Sequence, residues 1–195
     1  MSIISSVFIA TSLDGFIARK NGDLDWLDKA NQLVPEGTDL GFETFMNSVD
    51  TMIIGRKTYE KVLSFGLWPY GDKPVIVLSR NKVEIPSHLT ESVYGSSETP
   101  KELCKRLSSE GVKRLYIDGG YTIQQFLAED LIDDITITTI PVILGEGIPL
   151  FNGAKRDILL KHVKTISFDF GFVQTTYRVI KNSLKYKFSD VLKLS

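Results

Sequence analysis

Three short stretches, far apart in the chain, carry residue types suited to holding an anion. Gly55-Arg56-Lys57-Thr58 follows the apolar run Met52-Ile53-Ile54, and Ser79-Arg80 closes the run Val75-Ile76-Val77-Leu78. Asp118-Gly119-Gly120 follows Leu115-Tyr116-Ile117 and precedes Tyr121 and Thr122. Glycine lets backbone come close to a charged group, and the first N–H groups of a helix have no partner inside it and sit at the positive end of its dipole. A guanidinium beside a hydroxyl suits a phosphate monoester. Each stretch has a plainer alternative: a tight turn at Gly119-Gly120, a solvated basic helix start at Arg56-Lys57, and a polar strand end at Ser79-Arg80. Taken together, three such groups, each at the end of an expected strand, favour a ligand bearing several phosphates. The spaced glycines of a Rossmann fingerprint are missing.

The elements that position these groups follow from the hydrophobic pattern. Residues 3–10, IISSVFIA, have the β-branched content of a first, central strand, and an Asp14-Gly15 turn follows. Residues 29–38 read as a surface loop, and a helix is expected from Asp39 through Phe42, Phe45, Met46 and Val49. Strands are expected before Gly55, at 74–78, at 115–117 and at 134–140, with helices after Gly55 and Gly120. Thr99-Pro100-Lys101-Glu102 is a capping box with proline at the first helical position. Residues 162–170 and 172–180 alternate like two antiparallel strands around Gly171. The fold class is therefore α/β, a mostly parallel central sheet flanked by helices and closed by a C-terminal antiparallel hairpin. Ligands of open α/β sheets gather at the carboxyl ends of the strands, where all three anion-suited groups fall.

Composition narrows the function classes. The chain has 195 residues, 43% hydrophobic and 24% charged, with a formal net charge of −1, which gives no reason to expect a nucleic-acid partner. Cys104 is the sole cysteine, so no internal disulfide forms, and a reducing, cytoplasmic setting is expected. With His88 and His162 it is too scattered for a metal site. No signal peptide or membrane span is read, and one domain is expected over residues 1–181, with a tail over 182–195 whose Tyr186, Phe188, Val191 and Leu192 are suited to docking.

The order of motifs resembles the dihydrofolate reductase superfamily, and most closely the reductase domain of the riboflavin-pathway deaminase–reductase in stand-alone form. The residues that carry the resemblance are SLDGFIA at 12–18, VDTMIIGRKTYE at 49–60, IDGG at 117–120 and PVILGEGIPLF at 141–151. The resemblance implies NADPH as cofactor. Backbone of Ala10 and Ile17 would hold the nicotinamide carboxamide. Gly55, Arg56, Lys57 and Thr58 would meet the 2′-phosphate and pyrophosphate, with Ser79 and Arg80 completing the 2′-phosphate site. Gly119, Gly120, Tyr121 and Thr122 would cover the pyrophosphate. It also implies hydride transfer to a small polar heterocyclic or carbonyl substrate, with 5-amino-6-(5-phosphoribosylamino)uracil reductase as the nearest activity. Dihydrofolate reductase and a non-catalytic NADP(H)-binding module are the alternatives. Asp39 matches the spacing of the acid that assists protonation in dihydrofolate reductases, with Glu43 a helical turn further on. A partly buried carboxylate there would deliver a proton, although Asp39 is equally suited to capping its helix. Thr138 matches a strand threonine that supports such an acid. A homodimer is implied by analogy. The chain departs from its relatives in lacking a deaminase domain and the Leu-Arg and Asp-Asn-Pro segments of the ribose-phosphate site.

Overall fold

The structure, a computed structural model, describes residues 3–181. The aromatic and aliphatic residues of the tail lie outside the described residues. Among the described residues ten strands and five α-helices run in the order β1 (Ile4–Ser12), β2 (Phe16–Ala18), α1 (Asp25–Asn31), α2 (Phe42–Asn47), β3 (Thr51–Gly55), α3 (Arg56–Leu63), β4 (Val75–Leu78), β5 (Val93–Ser96), α4 (Pro100–Ser109), β6 (Arg114–Asp118), α5 (Gly120–Ala128), β7 (Asp134–Ile140), β8 (Ile148–Pro149), β9 (Leu160–Ser167) and β10 (Val173–Val179). Eight strands form one sheet in the order β5-β4-β3-β6-β1-β7-β10-β9. The first six are parallel, and β10 runs antiparallel to both β7 and β9. The expected mostly parallel sheet with a closing hairpin is the observed fold, and β1 lies inside it.

Both faces are covered because successive side chains of the inner strands point to opposite sides. On β6, Leu115 and Ile117 enter one core with Ile53, Ile123 and Phe126, while Tyr116 enters another with Phe45, Met52, Ile54 and Tyr59. α5 therefore packs on one face and α2 and α3 on the other. A sheet apolar on both sides needs helices on both sides, which the sequence supplies between its strands. α4 starts at the capping box: Thr99 accepts from the Glu102 N–H, and Glu102 reaches back to the Thr99 N–H.

Several expectations need correction. α2 begins at Phe42, not Asp39, because Gly41 takes φ +85° and breaks the helical path before it. Lys29 to Asn31 complete α1 instead of opening a loop, since Trp26 and Ala30 bury one face of a short helix. β5 was unforeseen; its Val93 is buried but Tyr94 and Gly95 are exposed, so it carries little periodic signal.

Two loops that sequence reading treated apart are tied together. The Asp14 carboxylate accepts from Leu144 N at 3.1 Å and Gly145 N at 2.7 Å. Leu150 N donates to Gly15 O at 3.0 Å, and β2 pairs with β8. The hydroxyl of Ser12, with these backbone N–H groups, holds the Asp14 carboxyl below the usual carboxylate range. The SLDG turn and the GEGIPL exit are thus one device that fixes β2 against the start of α5.

Candidate functional site

Three of the sheet's carboxyl ends meet in space. Gly55 at the end of β3 is paired with Leu78 of β4, and Ile54 with Asp118 of β6, so Arg56, Ser79 and Gly119 leave the sheet from one edge. The packing is close. A Cβ on Gly119 would strike Thr58 Oγ1, and one on Gly55 would lie 2.8 Å from Thr122 Oγ1. One on Gly120 would lie 2.9 Å from Ile17 Cδ1. Gly119 also sits at φ +88°, where side chains are strained. The three groups separated in sequence therefore form one corner, with Ile17 of β2 laid against it.

The polar groups of this corner remain available to a ligand. Gly55 and Gly119 begin α3 and α5 without any side-chain cap, leaving backbone N–H groups open at both helix starts. Arg56 and Lys57 are exposed; Arg56 makes one surface pair with Glu60 at 3.3 Å, a contact that contributes little in water. Arg80 is exposed one residue beyond half-buried Ser79, whose hydroxyl accepts from Asn81 N at 3.2 Å. Tyr121 is exposed and Thr122 buried. Open N–H groups, fixed glycines and three exposed cations fit a ribose phosphate next to a diphosphate.

Beside the corner the sheet opens. The pairing of β1 with β6 runs only from Ile4–Arg114 to Ser6–Tyr116, although β1 continues to Ser12 and β6 to Asp118. Past Ser6, β1 stays paired on its other side, with Ala10 opposite Thr138 of β7. The Tyr116 hydroxyl donates to Phe8 O at 2.8 Å at the root of the opening. Main chain of Ala10 faces this gap, as a carboxamide would require. Along one side lie the rings of Phe8, Phe42, Phe45 and Tyr116, with centroids 5.0–6.3 Å apart.

At the mouth of the gap stands a group that sequence reading passed over. Asp118 is half-buried, and burial lifts its carboxyl to about 6, against a smaller downward pull from the Gly119 N–H. Among the described residues no lysine or arginine offsets that shift. Burial, and then the Asp118 charge, also hold the proton of Tyr70 more tightly, and Tyr116 responds to the same causes with Tyr70 as a third. Tyr70 stacks edge-on against Trp68 with centroids 5.0 Å apart. The available signal was an acid ending the apolar run Leu115-Tyr116-Ile117: three buried residues before it imply a desolvated carboxyl.

The two residues expected to do the chemistry are placed differently. Asp39 is exposed, and its Oδ1 accepts from Gly41 N at 3.0 Å and Glu43 N at 3.3 Å, so it ties off the start of α2. The expected partial burial of this carboxylate is not found, because residues 35–39 form an exposed turn over Gly37 and Gly41. Glu43 is exposed as well. Thr138 is buried; its Oγ1 accepts from Gln174 Nε2 at 3.0 Å, and the same amide donates to Leu40 O at 2.9 Å. Thr138 therefore supports the main chain next to Asp39, not its carboxylate.

Among the described residues no group of three or more His, Cys, Asp or Glu side chains could hold a metal ion, and no helix is long and apolar enough to cross a membrane. Comparison with known proteins agrees with the geometry. The Bacillus subtilis protein YwjB, uncharacterized, is 40% identical over 158 residues, covering 80% of this chain and 86% of its own length. A crystal structure of a Shewanella sp. PV-4 protein provisionally assigned to riboflavin biosynthesis superposes with a TM-score of 0.86 and 42% identity, over 92% of this chain and all of that one. Dihydrofolate reductase from Enterococcus faecalis, solved with NADP(H) and RAB-propyl, shares the fold at a TM-score of 0.60 and 17% identity, over 90% of this chain and 96% of that one. The family model of the RibD C-terminal domain matches residues 5–173, and the chain belongs to that family.

Proposed function

We propose that the protein is an NADPH-dependent reductase of the riboflavin-pathway type, with Asp118 as the group that delivers the proton. The observation that carries this reading is the meeting of three anion-suited groups at one sheet edge, directly beside a gap that holds a desolvated acid. Arg56, Lys57, Thr58, Ser79 and Arg80 hold the 2′-phosphate, and Gly119, Gly120, Tyr121 and Thr122 hold the pyrophosphate through open N–H groups. Backbone of Ala10 and Ile17 orients the carboxamide. When bound, NADPH supplies the hydride.

The chain's own residues do the remaining work. Reduction of a C=O or C=N bond consumes one hydride and one proton. Asp118 carries that proton at its carboxyl oxygen, gives it up as negative charge grows on the substrate heteroatom, and regains it from water. An acid held near 6 is protonated in a useful fraction at neutral pH, unlike an ordinary aspartate. The accessible rings of Phe8 and Phe42, backed by buried Phe45 and Tyr116, offer an apolar edge to a heterocycle. Family membership supports 5-amino-6-(5-phosphoribosylamino)uracil as the substrate type, and dihydrofolate is the runner-up.

Titration of nucleotide fluorescence tests the cofactor: NADPH binds well and NADH at least tenfold more weakly, whereas equal affinity for both removes the phosphate assignment. Loss of NADPH absorbance on adding the pyrimidine intermediate or dihydrofolate then tests turnover. Binding without turnover of either would leave a nucleotide-binding module.

A further inference from the structure

Tyr59, Tyr70 and Tyr116 share the face of the sheet that α2 and α3 cover. Two of their hydroxyls are spent on main chain: Tyr59 donates to Glu84 O at 3.2 Å, and Tyr116 to Phe8 O at 2.8 Å. Tyr70 lies half-buried in the segment joining α3 to β4, packed, like Phe8 and Met46, against the core that holds Tyr116. Among the described residues its hydroxyl makes no hydrogen bond.

The neighbours of Tyr70 fix its place. Gly71 turns the chain at φ +54°, Lys73 N donates to Tyr70 O at 3.1 Å, and Lys73 Nζ donates to Val49 O at 2.7 Å. The Trp68 ring stands edge-on to Tyr70 and to Tyr59, with centroids 5.0 and 6.0 Å apart. Trp68 keeps this position although its indole N–H is buried without an acceptor. Side chains alternate along a strand, so Asp118, two residues past Tyr116, points to the same side of β6 as Tyr116. Tyr70 and Tyr116 both sense the Asp118 charge, and Tyr116 senses Tyr70, so the uncommitted hydroxyl stands in the neighbourhood of that carboxyl. Burial raises the Tyr70 hydroxyl above its ordinary value, so it keeps its proton at neutral pH and serves as a donor.

We propose that Tyr70 is a second substrate-holding group of the gap, its hydroxyl donating to the substrate heteroatom that receives the proton of Asp118. This rests on the reading that the substrate is reduced beside Asp118. The C=O or C=N bond takes up the hydride at its carbon and the Asp118 proton at its heteroatom. Tyr70 keeps its own proton throughout and shares the negative charge that grows on that heteroatom. A ring without an acceptor at this point would leave the half-buried hydroxyl unpaired, so the residue also selects the substrate's polar edge.

Binding of two small rings to the full chain saturated with NADP+ tests the proposal: uracil, which carries carbonyl groups, and benzene, which carries no acceptor. Tyr70→Phe keeps the ring against Trp68 and removes only the hydroxyl. It lowers uracil affinity by about fivefold or more, leaves benzene affinity within about twofold, and leaves NADPH affinity unchanged. A second measurement needs no variant to fold. In wild type labelled with carbon-13 in tyrosine and aspartate, uracil moves both the Tyr70 Cζ and the Asp118 Cγ signals, and benzene does not move them together. Unchanged uracil affinity in Tyr70→Phe, an equal fall for both rings, or uracil shifting Asp118 without Tyr70 would overturn the proposal. Wild type that binds NADPH but no uracil would also overturn it while leaving the cofactor assignment standing. Loss of NADPH binding as well would remove the proposed function with it.

Discussion

Asp39 and Asp118 have the same side chain, and each stands in front of a helix near the gap, yet their surroundings give them opposite work. Asp39 lies in solvent and spends its oxygen on the Gly41 and Glu43 N–H groups, which fixes the start of α2. Asp118 ends a strand whose three preceding residues are buried, and it meets no cation. Water and backbone donors satisfy a charged carboxylate; burial without a partner favours the protonated acid. Residue type and spacing along the chain identified the first, whereas depth in the fold identifies the second. The same contrast holds across the sheet. At its amino end Asp134 is also raised by burial, but there Arg114 pairs with it at 3.3 Å and Ser6 donates to it at 3.0 Å, a tie between strands with no gap beside it.

Substitutions at the two carboxylates and at the corner between them separate these environments. Asp118→Asn keeps the shape and removes the proton, so turnover falls by roughly 100-fold or more, in the range seen for loss of a general acid, while NADPH affinity changes little. Steady-state kinetics alongside fluorescence titration separate the two. Gly119→Ala forces a side chain into φ +88° and against Thr58. It destabilises the fold by about 1–3 kcal/mol and weakens NADPH binding, readable as a lower midpoint in urea and a higher Kd. Arg56→Ala with Arg80→Ala lowers NADPH affinity by about tenfold or more, with NADH affinity nearly unchanged, consistent with loss of charge-assisted phosphate contacts. Asp39→Asn is the smallest change: turnover stays within about twofold, and stability falls by about 0.5 kcal/mol or less, because asparagine still caps. A large loss of turnover in Asp39→Asn would reverse the assignment of the two carboxylates.

The pH dependence carries the same distinction. The Asp118 carboxyl is raised in the folded protein to about 6, above its ordinary 3.8. Its protonated form therefore favours folding, a contribution fully present below about 4 and lost as pH rises through 6. The chemical step should follow the protonated fraction, declining above about 6, and Asp118→Asn should flatten that limb.

Much of this was legible in the sequence. The runs before Gly55, Ser79 and Gly119 announced parallel strands because buried strands read as continuous apolar segments. Glycines and cations at their ends marked the corner where these strand ends meet for the same local reason. The gap between β1 and β6 was not legible, since it arises from where a ladder stops, a property of two strands more than a hundred residues apart in sequence. Asp118 was overlooked because an acid after three apolar residues also reads as an ordinary strand end, and only its depth in the fold separates the two. The expected partial burial of Asp39 is not found because spacing alone does not reveal that the chain around Gly37 and Gly41 turns out into water.

The most direct measurement is a crystal structure with NADPH bound. The account predicts the 2′-phosphate between Arg56 and Arg80, the pyrophosphate over Gly119-Gly120, and the nicotinamide in the gap beside Ala10 with Asp118 facing the space left for substrate. Nucleotide found away from this corner, or a nicotinamide turned away from Asp118 with Asp39 in contact, would contradict it.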